Sequence, residues 1–374
     1  MRSAADASES WSENRRHASR SGLGAFVLVF FAVVILVGAI ALSAADGLLG
    51  WDVRFAYLPA AEAVLDGHSP YPELDDPILQ DQRGYVYPPQ LVLVLVPLTW
   101  LPVGVVAFLA TLLLLVLVGL TLWILDVRDV RCYAAALLWV PTISGLLLGN
   151  VSIPLAFALA VLWRYRDRVW PPGLALGLSV SAKLVLWPMF VWMLATRRFR
   201  APAAAVAIGV LVTLGAWAVI GFDGLTGYPD LVRRLSDIQS ENSYSLVGMA
   251  ATAGLPAAVG HALTFIVGGG LLVACVVFAR RADDLRSFTC AVAATLALSP
   301  IVWLHYLVVL LVPLAIARPR FSLIWLLPIL LWVSPKPGYA EGFQAFLPAL
   351  AVAILLCVIL ARPQAQMRTE PVAA

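Results

Sequence analysis

The chain alternates long apolar runs with short polar punctuation, and that rhythm predicts most of its elements. Residues 23–45 form an unbroken apolar run of about twenty residues, enough to cross a bilayer as one helix and longer than a signal-peptide core. The polar stretch that follows, 46–87, opens on Gly50-Trp51-Asp52-Val53-Arg54. It continues through Ala60, Ala63 and Val64 on one helical face, then becomes rich in Pro, Asp and Tyr. This predicts a short surface helix and an ordered polar crossing. The next apolar run, 90–101, is broken by Pro97 and is about 12 residues long, too short to span, so it predicts an interfacial helix. Residues 103–125 again reach spanning length.

Beyond residue 125 the punctuation becomes basic. Arginines cluster at Arg128 and Arg131, at Arg164, Arg166 and Arg168, at Arg197, Arg198 and Arg200, at Arg280, Arg281 and Arg286, and at Arg318 and Arg320. The positive-inside rule places these, with Arg15, Arg16 and Arg20, on the cytoplasmic side, and turns the apolar stretches between them into outward-and-back hairpins. The hairpin tips are Gly149-Asn150, the region of Lys183, and residues 303–305. Several arms have only about 12 to 17 apolar residues, so their tips must line a cavity at membrane depth. Residues 201–220 and 256–278 flank a second outer loop, and residues 334–338, with Lys336, make a last outer tip before a return through 343–360. The expectation is an all-α polytopic membrane protein of about 12 membrane segments. It has a cytoplasmic tail at 1–22, one membrane domain at 23–361 with outer loops 46–102 and 221–255, and a cytoplasmic tail at 362–374.

Composition agrees: 61% of the 374 residues are hydrophobic and 13% charged, outside the soluble range. Cys132, Cys275, Cys290 and Cys357 lie in or beside apolar runs without a CxxC pair, which argues against a disulfide framework or a zinc site. No Walker A, GxGxxG, HExxH or GxSxG motif is present, and Asp75-Asp76 lacks the DxD pattern of a metal site. The arginines flank membrane segments instead of patterning a soluble face, so nucleic-acid binding is not expected.

The topology puts Asp52, Arg54, Tyr85, Tyr87, Asn150, Lys183, Arg233, Arg234, Asn242 and His305 at or just below one face. Asp52 reads equally as a helix cap or partner of Arg54, and as a base kept ionised by a helix N-terminus. Lys183 is the sharper signal, since only Lys183 and Lys336 are lysines among 25 basic residues. Burying it in an apolar segment costs on the order of 3 kcal/mol unless it meets a polar cavity or an anion, and a phosphate is its natural partner. The alternative is a lysine snorkelling to the interface. His305 is either an interfacial histidine or a second donor to that anion. Arg233 and Arg234 could contact the same phosphate or lipid headgroups. The tyrosine-rich segments serve loop folding or sugar stacking.

In this order the residues resemble the polyprenyl-phosphate-sugar-dependent glycosyltransferases of the GT-C superfamily, most closely glycosyltransferase family 87. The resemblance rests on Asp52 after the first helix, A-x-A-x-L-x-G-x-x-x-Y at 61–71, Tyr-x-Tyr-Pro-Pro at 85–89 and Gly149-Asn150. Gly173, Gly177 and Lys183, then Asn242-Ser243, and Ser299, Pro300, Trp303 and His305 complete it. Asn150, Val185 and Leu304 depart from the family's usual Gln, Pro and polar residue. The resemblance implies a GT-C-like bundle with interfacial helices on its outer-face loop. It also implies transfer of a hexose, commonly mannose, from a polyprenyl-phosphate donor to a glycolipid or lipid-linked glycan acceptor, at the outer face and without cofactor or metal. Asp52 would be the base; Lys183, His305, Arg233 and Arg234 would hold the donor phosphate; Arg54, Tyr85, Tyr87, Asn150 and Asn242 would contact substrate. The preference for Arg and Ala suits a GC-rich bacterial genome, and hence a plasma membrane location among membrane lipids. The rival readings are a transporter or flippase of a lipid-linked sugar, which calls for an inverted repeat that the sequence lacks, and an envelope assembly protein.

Overall fold

A computed structural model describes the backbone over 4–333 and 345–361 and the side chains over 22–332 and 345–361. The expected tip at 334–338 with Lys336, and the tail at 362–374, lie outside the described residues. Among these residues all regular structure is helical. Helix α1 (Ala4–Ala45) contains the first apolar span, Gly22–Ala45. A π-helical turn (Val53–Tyr57) leads into α2 (Leu58–Leu65), and α3 (Gln90–Leu95) precedes α4 (Val103–Ile124). In α2 the deepest residue is Ala61, with Ala60 buried beside it and Ala63 and Val64 only half-buried, so the inward face is rotated from the one expected. Next come α5 (Val130–Leu138) and α6 (Val140–Leu148), one apolar run bent by 66°. Trp139 between them is extended, with φ −62° and ψ 128°. Pro141, in the first turn of α6, has no N–H to carry the ladder back across the bend.

The rest of the chain forms α7 (Ser152–Arg164), α8 (Trp170–Ala182), α9 (Pro188–Ala195) and α10 (Arg200–Val219), followed by α11 (Tyr228–Gln239) and α12 (Leu246–Thr252). It closes with α13 (Ala257–Arg280), α14 (Asp284–Ala297), α15 (Leu311–Ala317) and α16 (Phe346–Leu360). Four of these helices, the end of α1 with α4, α10 and α13, are long and apolar enough to cross a membrane, or five if the bent pair counts as one. Shorter apolar helices make up the hairpins, as the spacing of the arginines predicts.

The long helices form the rim and expose apolar side chains such as Phe30, Leu211 and Phe265, the surface that a lipid solvent requires. The hairpins fill the centre: Leu159 of α7 and Phe288 and Ala291 of α14 are fully buried. Close approach of α8 to α10 is possible because Gly177 has no side chain; a Cβ there would lie 2.7 Å from the Ala205 carbonyl oxygen. That contact fixes the helix whose last turn delivers Lys183.

The second outer loop is not an open loop. Its polar stretch, 228–239, forms α11, which buries Leu231 and Gln239 and leaves Arg233 and Arg234 exposed. Ser245 then caps α12 by accepting from the Gly248 N–H at 3.1 Å. The stretches expected as outer loops are joined: Gln239 Nε2 donates to the carbonyls of Leu79 (3.0 Å) and Gln80 (3.2 Å), and Tyr228 donates to the Val86 carbonyl (3.0 Å), while Tyr71 stacks on Trp217 of α10 at 5.5 Å.

Candidate active site

Asp52 sits in helical backbone, with φ −63° and ψ −39°, and its side chain makes no capping hydrogen bond. The cap reading therefore fails. So does the pairing with Arg54, whose Nε donates to the Leu49 carbonyl at 2.6 Å and which forms no ion pair with Asp52. The carboxylate turns instead to Asn150, 98 positions later: Asn150 Nδ2 donates to Asp52 Oδ2 at 2.5 Å, and Tyr57 adds a longer hydrogen bond at 3.3 Å.

Local backbone chemistry explains how Asn150 comes to be there. Helix α6 ends in a Schellman motif: Gly149 is left-handed at φ 73°, its N–H donates to the Leu146 carbonyl, and the Asn150 N–H donates to the Gly145 carbonyl. Gly149 is also a point of close approach, since a Cβ there would lie 2.7 Å from Val53 Cγ2. The Gly50 N–H donates to the Leu147 carbonyl at 2.7 Å, so the Asp52 segment is strapped to the last turn of α6. The Asn150 amide has one orientation, because its Oδ1 accepts from the backbone N–H (2.9 Å) and hydroxyl (2.7 Å) of Ser152. Its NH2 group must then face Asp52.

Lys183 occupies the break after α8, in extended backbone at φ −156° and ψ 114°. Its Nζ lies 3.6 Å from the centre of the Tyr306 ring and 5.4 Å from that of Tyr87. It is buried and has no hydrogen-bond partner. The neighbouring His305, in the 3-10 segment Leu304–Leu310, is also buried, and its Nε2 likewise lacks a partner. A small void beside Lys183 is lined by Lys183, Val185, Leu155, Leu296, Val309 and Tyr306, with Ser152 and Thr295. It is apolar but for that ammonium and a few hydroxyls. The tips of all three hairpins thus converge around the carboxylate. Burial pushes the Asp52 carboxyl up from the usual carboxylate range to about 6, against the pull of Asn150, Lys183 and Tyr57.

The other expected residues lie apart from this group or play different parts. Tyr85 is buried and spends its hydroxyl on the Pro88 carbonyl at 2.6 Å, which is loop-folding chemistry. Tyr87 stands edge-on to Tyr57 at 5.5 Å and lines the Lys183 side. Arg233 pairs with Asp230 at 2.6 Å on the exposed face of α11, and Arg234 donates to the Leu74 carbonyl at 3.3 Å, so neither joins the cluster. Asn242 is exposed in a turn, while Tyr244 two residues on donates its N–H to the Val302 carbonyl at 2.8 Å, tying the second outer loop to the His305 turn. Sequence reading missed Tyr57 and Tyr306; for Tyr306 the signal was its place beside His305. Among the described residues no three His, Cys, Asp or Glu side chains form a group that could hold a metal.

A helical membrane protein thus sets an oriented carboxylate near a buried lysine nitrogen that has no hydrogen-bond partner. The comparisons specify the chemistry: residues 85–302, more than half the chain, match glycosyltransferase family 87, and the chain belongs to that family. It is a glycosyltransferase. The matched region includes Asn150 and Lys183 and stops short of Asp52 and His305. The chain is 25% identical to the polyprenol-phosphate-mannose-dependent α-(1-2)-phosphatidylinositol mannoside mannosyltransferase of Mycolicibacterium smegmatis, over 89% of this chain and 80% of that protein. It is 28% identical to that organism's α-(1-2)-phosphatidylinositol pentamannoside mannosyltransferase, over 75% of this chain and 68% of the relative. A protein of the same description from Mycobacterium tuberculosis is 25% identical over 68% of this chain and 59% of the relative. No solved structure matches.

Proposed function

We propose that this glycosyltransferase moves mannose from a polyprenyl-phosphate carrier to a hydroxyl of a phosphatidylinositol-mannoside-type glycolipid, at the outer face of a bacterial plasma membrane. The observation that carries the reading is the Asp52 carboxylate, oriented by Asn150, beside a Lys183 ammonium that has no hydrogen-bond partner. The donor's phosphate supplies the partner that Lys183 Nζ and His305 Nε2 lack. The acceptor O–H gives its proton to Asp52 as its oxygen bonds to the sugar C1. The bond from C1 to the phosphate oxygen breaks, and its electron pair leaves on the phosphate, held by Lys183 and His305. A phosphate leaves without protonation, so one carboxylate suffices, and attack opposite the leaving group inverts the anomeric centre by analogy with inverting hydrolases. With its carboxyl near 6, Asp52 is a stronger base than an ordinary carboxylate yet still ionised at neutral pH.

The remaining short hairpins complete a bundle of about 12 membrane segments in this reading, with α2 and α3 lying in the outer interface. Arg233 and Arg234, on the exposed face of α11, then meet lipid headgroups. Purified protein given labelled polyprenyl-phosphate mannose and phosphatidylinositol mannosides is expected to form a mannosylated lipid, and the Asp52→Asn variant is not. Failure of the wild type to consume any lipid-phosphate sugar would sink the reading and favour the transporter. Asp66→Cys, in the exposed loop after α2, is expected to react with a membrane-impermeant maleimide from outside; labelling only from inside reverses the topology.

A further inference from the structure

Resting on that reading, we infer that Arg83, held on the Trp51 and Phe55 rings, is the site that binds the phosphodiester of an anionic glycolipid acceptor. The outer loops contain four arginines, Arg54, Arg83, Arg233 and Arg234. Three are engaged, with the Leu49 carbonyl, Asp230 and the Leu74 carbonyl. Arg83 alone among them has no hydrogen-bond or ion-pair partner for its guanidinium, which lies 5.3 Å from the centre of the Trp51 ring and 5.2 Å from that of Phe55. Those rings are themselves in contact at 4.5 Å. Stacking on aromatic faces fixes the plane of the guanidinium while leaving its N–H groups free, and that fork matches two oxygens of a phosphodiester.

The backbone also points Arg83 outward at a cost. Gln82, just before it, is a non-glycine residue in the left-handed region at φ 59°. That turn is pinned by the Gln82 side chain on Gln239 at 3.4 Å and by the Arg83 N–H on the Ile78 carbonyl at 3.1 Å.

Location decides which phosphate is meant. Trp51 and Phe55 lie one turn apart on the helical segment that holds Asp52, and Arg83 is exposed beside them, whereas Lys183 is packed on Tyr306 and Tyr87 in the interior. In the proposed reading the donor's anion takes Lys183. An acceptor whose hydroxyl lies at Asp52 and whose phosphodiester lies beyond its sugar then presents that charge to Arg83.

The test measures binding of phosphatidylinositol mannoside and of neutral octyl α-mannoside to detergent-purified wild type, Arg83→Gln and Arg83→Lys, together with the KM for the donor. Arg83→Gln is expected to weaken phosphatidylinositol mannoside binding about tenfold, the worth of a charge-assisted contact. Octyl α-mannoside binding and donor KM are expected to stay unmoved, and Arg83→Lys is expected to recover part of the loss. Salt is expected to weaken wild-type binding and not that of Arg83→Gln. Equal binding of the phospholipid by wild type and Arg83→Gln overturns the inference, as does a parallel rise in donor KM, which would assign Arg83 to the donor. Because binding is read apart from turnover, a wild type that binds through Arg83 but transfers nothing would refute the proposed function and leave this site standing.

Discussion

Two carboxylates at opposite ends of the helices are surrounded by nearly the same materials and are treated in opposite ways. Asp284, at the arginine-rich end, accepts from Arg166 Nε (2.9 Å), from both terminal nitrogens of Arg198 (3.0 and 2.9 Å) and from Trp192 Nε1 (3.2 Å). Arg166 also lies over Trp163 at 4.4 Å. Every charge in that group has an opposite charge in contact with it, and the group closes the α7–α8, α9–α10 and α13–α14 turns on one another. At the other end, Asp52 has two neutral donors and no ion pair, while Lys183 Nζ and His305 Nε2 are buried and unpartnered. Leaving such groups unmade costs about 1–3 kcal/mol each. One cluster is closed by its own charges; the other keeps buried nitrogens without partners, and in the proposed function a ligand supplies them.

Three substitutions and a titration press on that contrast. The largest effect is expected for Asp52→Asn, which keeps the shape and removes the base: transfer falls by about three orders of magnitude while the thermal midpoint in detergent holds. A drop in midpoint without loss of turnover per folded molecule would make Asp52 structural, like Asp284. Lys183→Gln is expected to cost about two to three orders of magnitude in kcat/KM, the usual worth of removing one group that holds developing negative charge. The pH profile comes next. The base must be ionised, and its carboxyl is raised to about 6, so kcat/KM is expected to fall about tenfold per unit below pH 6. In Lys183→Gln the residual activity is expected to fall off at higher pH, because the cation that stabilises the carboxylate is gone; an unmoved limb would mean that the two do not interact. The smallest catalytic effect is expected for Asp284→Asn. It leaves Arg166 and Arg198 half-compensated, lowering stability by about 1–3 kcal/mol in thermal or denaturant unfolding while turnover per folded molecule is kept.

Much of this architecture was legible in the sequence, and the reason is the solvent. A bilayer requires whole runs of apolar residues, so the span within α1, Gly22–Ala45, and helices α4, α10 and α13 fall within a residue or two of the runs that announce them. The arginine clusters mark the opposite end, and a lysine in an apolar segment is costly enough to stand out. Amphipathic pattern is a weaker signal, and it failed at 228–239, where a helix of polar composition read as loop. Residue identity also fails to say where a long side chain turns. Arg54 is two residues from Asp52 and points to Leu49, while Arg233 and Arg234 find partners on their own surface. Arg83 attracted no notice because a cation on two aromatic rings leaves no trace in linear order.

By itself, then, the sequence determined the helical membrane scaffold, from apolar run length, and singled out Lys183, from the energetics of insertion; Asp52, Asn150 and His305 became candidates through their places along the chain and the family resemblance. Only the tertiary structure decided what Asp52 is. Its hydrogen bond to Asn150 spans 98 positions and depends on a left-handed glycine and a fixed amide, and its raised pKa depends on burial by elements from across the chain. Those are properties of an environment, and an environment is assembled only when the chain folds.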